Sequence, residues 1–311
     1  MKREVFEHLT QELLKYKFSL SQVLKNTPEV KERFLKEFPK PYNAKRPKDI
    51  KAKPLTKNYG NVGIAFGYVL DFILKKLNSN VIEFDWAAES SLKEIKRIYP
   101  KYFEQAKNIV SKTKKLEKYY IKTGEFSDEL LKYILLISRL NRYIHSGHFS
   151  ENLEKYDEGD IEDLRNLIDA VDLNLFKTSE ICILNPKFNY EKDDSDKTKL
   201  LREIIEDLKL DNLEKHLPGA EPDLIINDLM IDVKTTIDSK FKREFLNQLL
   251  GYYIYYRLFG LKGYPPDKQI KRIGIYFSRY GYLSEYNVED IINETSFLEI
   301  CEWFIKKIYI S

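Results

Sequence analysis

The stretch from residue 219 to 236, Gly-Ala-Glu-Pro-Asp223-Leu-Ile-Ile-Asn-Asp-Leu-Met-Ile-Asp232-Val-Lys234-Thr-Thr, leaves its chain few ways to fold. Two short apolar runs, Leu224-Ile225-Ile226 and Leu229-Met230-Ile231, flank Asn227-Asp228, a pair suited to a two-residue turn. The pattern predicts an antiparallel hairpin in which Ile226 pairs with Leu229, Ile225 with Met230 and Leu224 with Ile231. Asp223 then faces Asp232. Side chains alternate along a strand with period two, so Lys234 emerges on the side of Asp232 and Asp223. Two carboxylates on cross-strand partners, with Cβ atoms roughly 4.5–5.5 Å apart, repel each other and require compensation.

A divalent cation between the two carboxylates supplies it. Mg²⁺ (or Mn²⁺) takes hard oxygen ligands, and Asp223, Asp232 and the carbonyl of Val233 are the candidate protein ligands. Lys234 beside such a site lowers the pKa of a bound water or neutralises a scissile phosphate, which is the chemistry of phosphodiester hydrolysis. Pro222-Asp223 followed by Asp232-Val233-Lys234 resembles the signature of the PD-(D/E)xK nuclease superfamily. Downstream, the run Phe241-Lys-Arg-Glu-Phe-Leu-Asn-Gln248-Leu-Leu-Gly-Tyr252 has the helical spacing that places Gln248 and Tyr252 on one face. Gln248-x-x-x-Tyr252 is similar to the Q-x-x-x-Y signature of the RecB-like and λ-exonuclease-like branch. The resemblance covers residues 219–252. It implies that Gln248 and Tyr252 position a phosphate or the attacking water, whereas Tyr253, Tyr255 and Tyr256 read as packing residues.

The chain departs from that branch upstream. Where the family carries a Gly-x-x-x-His, the nearest match here is Gly63-Ile-Ala-Phe-Gly67-Tyr-Val-Leu-Asp71, with Gly67 in the place of the histidine. Other branches use a Glu from the helix before the hairpin. Leu200-Leu-Arg-Glu203-Ile-Ile-Glu206 offers one, and Glu203, at the margin of its apolar stripe, is preferred over Glu206; Glu221 is a further candidate.

The formal net charge of +3 is unevenly spread, since residues 40–57 carry seven Lys and Arg against one Asp. Three prolines make this stretch an extended loop, and Lys45, Arg46 and Lys48 within it are candidate phosphate contacts. Lys240, Arg243 and Arg279, expected beside the hairpin, form a second such set. Two cysteines, Cys182 and Cys301, make no metal-ligand pattern, so no iron–sulfur cluster is expected, and a reducing compartment suits them. No apolar run approaches a membrane span and the first residues lack the core of a signal peptide; the expected location is the cytoplasm, with no membrane partner.

Apolar residues at three- and four-residue spacing predict helices over 4–25, 28–37, 62–78, 89–121, 127–144 and 160–171. Strand-like Ile181–Leu184, the Glu203 helix, the hairpin, the Gln248 helix and the β-run Arg272–Ser278 follow, with a helical tail over 288–310. The fold class expected is α/β, or α+β overall: a helical region over 1–175 that grips substrate or is accessory, then a restriction-endonuclease-like mixed sheet flanked by helices over 176–311. The resemblance implies a metal-dependent nuclease acting on nucleic acid, with DNA preferred, in defence, restriction or repair, alone, as a homodimer or with a partner protein. Two other readings stand beside it. One is an inactive nucleic-acid-binding or scaffolding module on a nuclease fold, which Gly67 favours. The other is a metal-independent RNase, because Arg142-Tyr-Ile-His-Ser-Gly-His148 is similar to the Arg…His motif of small helical ribonucleases of the HEPN type.

Overall fold

The computed structural model describes residues 19–39, 49–84, 86–146, 152–190 and 217–310. The fold is α/β: a six-stranded mixed sheet covered by helices on both faces. The strands lie in chain order, β1 (Val81–Glu83), β2 (Cys182–Leu184), β3 (Leu224–Ile226), β4 (Leu229–Lys234), β5 (Arg272–Phe277) and β6 (Tyr282–Asn287). β1–β2 and β4–β5 pair parallel, the other neighbours antiparallel.

The hairpin has the register that its apolar alternation predicts, with Leu224 opposite Ile231, Ile225 opposite Met230 and Ile226 opposite Leu229. Asn227 turns the chain in the left-handed region, at φ 54°, which asparagine tolerates better than most residues. Its side-chain oxygen accepts hydrogen bonds from Thr178 Oγ1 (2.7 Å) and the Ile181 amide (3.2 Å), tying the turn to the start of β2. Asp228 pairs with Arg272 at 2.6 Å, which helps to hold its carboxyl below the usual range.

Strands covered on both sides bury every residue, and alternation sends successive side chains into two different cores. Leu224, Ile226, Leu229 and Ile231 enter one of them, with α3 (Tyr59–Leu77), α4 (Ala87–Ile98), α5 (Phe103–Thr123), α6 (Asp128–Ser146) and α7 (Glu158–Asp169). Ile225 and Met230 enter the other, with α1 (Leu20–Asn26), α2 (Pro28–Glu37), α8 (Arg243–Phe259) and α9 (Glu294–Ile310). Residues before and after position 175 therefore share both cores, and β1 joins the sheet beside β2.

Four elements differ from the sequence expectation. The helix expected over 89–121 is divided: α4 ends at Ile98 and a 3₁₀ turn over Pro100–Tyr102 precedes α5, because Pro100 lacks the N–H that a continuing helix needs. β1 and β6 form strands where none was expected. Both lie at sheet edges, so neither requires the continuous apolar run of a central strand. The tail helix starts at Glu294, after β6 and a 3₁₀ turn over Val288–Asp290. Most of the expected helix 4–25 and the whole Glu203 helix lie outside the described residues.

Candidate active site

β4 runs past the end of β3, and its last residues carry the charges that the hairpin brings together. Asp232, 3% exposed, and Lys234 lie two apart on one face, with Lys234 Nζ 2.5 Å from Asp232 Oδ2. Asp223 sits one residue before β3. Its amide donates to the Ile231 carbonyl at 3.2 Å and its Oδ2 accepts the Val233 amide at 2.6 Å, so the carboxylate is held against β4 by backbone. α8 then supplies the polar partners. Lys234 Nζ donates to Gln248 Oε1 at 3.0 Å, and Gln248 Nε2 donates to the Tyr252 hydroxyl at 2.6 Å, one helical turn on. The Phe245 ring lies 5.6 Å from the ammonium. Asp223, Asp232, Lys234, Gln248 and Tyr252 thus form one constellation. Tyr253, Tyr255 and Tyr256 are core residues at 4%, 0% and 5% exposure.

A cleft of about 470 Å³ opens between this strand end and α3, and Asp223, Val233, Lys234 and Thr235 border it on one side. The opposite wall brings a residue that sequence reasoning passed over. Asp71 of α3 borders the same cleft, and its Oδ2 accepts a hydrogen bond from Asn185 Nδ2 at 3.1 Å. It lies one turn beyond Gly67, the position that the family pattern singles out. A signal existed, because Asp71 is the only acidic residue in a helix otherwise rich in apolar side chains. Such a charge on a buried helix needs a reason.

Electrostatics mark the three acids. Burial pushes the Asp71 carboxyl up to about 7, against the pull of Asn185 and Lys75, and Asp223 adds repulsion. Asp223 is raised as well, by burial and then by Asp232, with Lys234 and the Val233 amide opposing. Asp232 is raised by burial, which Lys234 offsets in part. For Lys234 burial favours loss of the proton, but Asp232 and Asp223 outweigh it and the pKa rises, so the side chain stays an ammonium. Tyr252 is raised by burial and by the two aspartates, so its hydroxyl stays protonated and able to donate.

Asp71 and Asp223 place carboxylates at a cleft that Lys234 also borders, with Asp232 buried against Lys234, and oxygen donors of this kind suit a hard divalent cation. Among the described residues no three His, Cys, Asp or Glu side chains converge on a single point. Asp223 borders the cleft with Asp71 across it, while Asp232 is buried against Lys234.

The remaining candidates separate from this cluster. Arg279 cannot meet a phosphate: it is 1% exposed, and its guanidinium holds Asp163 (2.8 and 3.0 Å) and the Ala52 carbonyl (3.1 Å). The expected phosphate contact fails there because the ion pair with α7 buries the side chain. Arg243 spends both terminal nitrogens on the carbonyls of Phe34 and Phe38 at the end of α2, capping that helix. Lys240 is exposed. Glu221 is exposed and paired with Lys187. Arg142 points its guanidinium at Asn58 Oδ1 (3.4 Å), while Asn58 binds Asp160. Glu203, Lys45, Arg46, Lys48 and His148 lie outside the described residues.

Comparison with protein-family models, with curated proteins and with solved structures finds no match to this chain. No helix among the described residues is long and apolar enough to cross a membrane.

Proposed function

We propose that this chain is a metal-dependent nuclease of the PD-(D/E)xK kind, hydrolysing phosphodiester bonds of nucleic acid, with DNA the preferred substrate. The observation that carries the reading is the Lys234 ammonium, bracketed by Asp232 at 2.5 Å and Gln248 at 3.0 Å at the rim of a cleft that Asp223 and Asp71 also border. A structural ion pair needs no third and fourth partner and no cleft. Asp223, Asp232, Lys234, Gln248 and Tyr252 stand in the order of the family signature, and the contacts among Asp232, Lys234, Gln248 and Tyr252 support the reading.

Asp223 and Asp232 would hold Mg²⁺ or Mn²⁺, with Asp71 the upstream acid from the far wall. When bound, the ion supplies Lewis-acid stabilisation of phosphate charge and a water of lowered pKa. Lys234, kept protonated by its two aspartates, places positive charge where a phosphate oxygen gains negative charge during attack. Gln248 fixes the ammonium, and Tyr252 fixes Gln248.

The test uses purified protein on linear, circular and single-stranded DNA and on RNA, with and without Mg²⁺ or Mn²⁺. Wild type should cleave only with a divalent ion. Lys234→Ala should lose about 10²–10³-fold in turnover, the usual loss when a transition-state charge partner is removed, with substrate affinity nearly unchanged. Full metal-dependent activity in Lys234→Ala would overturn the assignment, as would a wild type inert on every substrate.

A further inference from the structure

α3 carries Gly60, Gly63 and Gly67 at spacings of three and four, and Asp71 falls four residues further on the same stripe. All four border the cleft. Internal packing does not call for glycine at these positions: a Cβ at Gly60 or Gly67 would meet no atom within 4 Å, and one at Gly63 would make an ordinary 3.5 Å contact with Thr235. None of the three has a positive φ. Gly63 and Gly67 weaken the helix interior relative to alanine, so the bare backbone along the cleft lacks an explanation from within the described residues.

The start of the same helix is equally bare. Asn58, at its N-cap, makes no side-chain hydrogen bond to the first turn: its Oδ1 accepts from Arg142 at 3.4 Å and its Nδ2 donates to Asp160 at 2.7 Å. Tyr59 and Gly60 border the cleft, so the positive end of a 19-residue helix is presented there without a side-chain cap. The Tyr59 ring is 52% exposed. An independent sign comes from Tyr68, which borders the cleft at 5% exposure with a hydroxyl that has no hydrogen-bond partner among the described residues.

Resting on the nuclease reading, we propose that the cleft takes a single unpaired polynucleotide strand, laid along the glycine face of α3 from the open helix start to Asp71. The eleven-residue interval from Gly60 to Asp71 spans about 16 Å at the helical rise, enough for a few nucleotides of one strand. At about 470 Å³ the cleft falls in the range of small-ligand sites. Glycine lets the sugar–phosphate backbone approach the helix closely. A phosphate sits at the first-turn amides, the adjoining base stacks on Tyr59, and the scissile phosphate reaches Lys234.

The test measures anisotropy of short labelled oligonucleotides, single-stranded DNA, single-stranded RNA and blunt duplex, on full-length protein in EDTA. Wild type should favour a single strand over the duplex, and the DNA and RNA arms assign the sugar. Gly67→Leu, which projects into open cleft space, should weaken single-strand binding by about tenfold or more, comparable to losing one or two base contacts. Gly67→Ala should melt at the same or a higher temperature than wild type. Gly60→Leu, in the first turn, repeats the test should Gly67→Leu fold poorly. Duplex bound as tightly as single strand, or wild-type affinity in both folded leucine variants, would overturn the proposal. The two readings fail separately. Strand binding sensitive to Gly67→Leu without cleavage in any metal removes the nuclease and keeps the track. Metal-dependent cleavage of duplex that both leucine variants retain removes the track and keeps the nuclease.

Discussion

Asp71 sets stability against function within one side chain. Its carboxyl is held up to about 7, chiefly by burial, so the ionised form is disfavoured in the fold, and only the Asn185 amide and the Lys75 charge favour it. Lys75 is itself engaged by Glu83 (2.7 Å) and Glu117 (2.6 Å). Asp71→Asn keeps the shape and removes the charge. Thermal melts without metal should show this variant more stable than wild type at pH 8, while metal-dependent cleavage falls about 10–100-fold, the usual effect of altering groups around a metal site. Unchanged cleavage would place Asp71 outside the chemistry. The Asp232–Lys234 pair and the hairpin register were readable in the sequence because period-two alternation is local. Gln248 was readable through its order after Lys234. Asp71 stood out only as the lone acid of an apolar helix; its place in the site depends on how α3 docks against a strand distant in sequence, and no local period reports docking.

At the scale of elements, one buried clamp joins the two helical layers' common sheet to its N-terminal segments. Arg279, just past β5, binds Asp163 of α7 and the Ala52 carbonyl, and its own carbonyl accepts the amides of Lys51 (2.9 Å) and Ala52 (3.0 Å). Two residues on, Gly281 turns into β6 at φ +54°, where a Cβ would lie 2.0 Å from the Ala170 carbonyl oxygen. Removing one partner of a buried ion pair strands the other, at a cost of about 3–5 kcal/mol. Urea denaturation should show that loss for Arg279→Met and recovery of most of it in Arg279→Met/Asp163→Leu. A folded Arg279→Met should bind nucleic acid with wild-type salt dependence; a shallower slope would mean that phosphates do reach Arg279. The periodicity that predicted 28–37, 62–78, 127–144 and 160–171 placed helices close to their observed bounds, since each buries one apolar stripe. It overran Pro100 and missed both edge strands, where burial on one side leaves a mixed pattern. Arg279 reads as a phosphate contact in sequence because nothing local announces its buried partner on α7.

In the whole molecule, helices from both faces of the sheet converge on the end of β4: α3 brings Asp71, and α8 brings Gln248 and Tyr252. Several acids meet where one ammonium borders the cleft, and the fold carries an electrostatic cost in the absence of a cation. Asp71 is raised to about 7 and Asp223 is raised too, both chiefly by burial, against about 4 for an aspartate in an unfolded chain. The native state therefore holds these protons more tightly than the unfolded state. The resulting stability is fully present below about pH 4 and is lost as pH rises through about 7. A divalent ion bound by the ionised carboxylates adds stability by mass action in the range where the protons have left. Chelator-treated protein should accordingly melt lower at pH 8 than at pH 5, apart from charge effects shared with Asp71→Asn, in which the decline should be shallower. Mg²⁺ should raise the melting temperature at pH 8, by about 2–4 °C for each kcal/mol of binding linkage, and should do little at pH 5, where protons compete for the same oxygens. Scanning calorimetry of wild type and Asp71→Asn at both pH values, with and without Mg²⁺, reads each of these differences. An equal Mg²⁺ effect at pH 5 and pH 8 would show that the ion binds away from the Asp71 and Asp223 carboxylates.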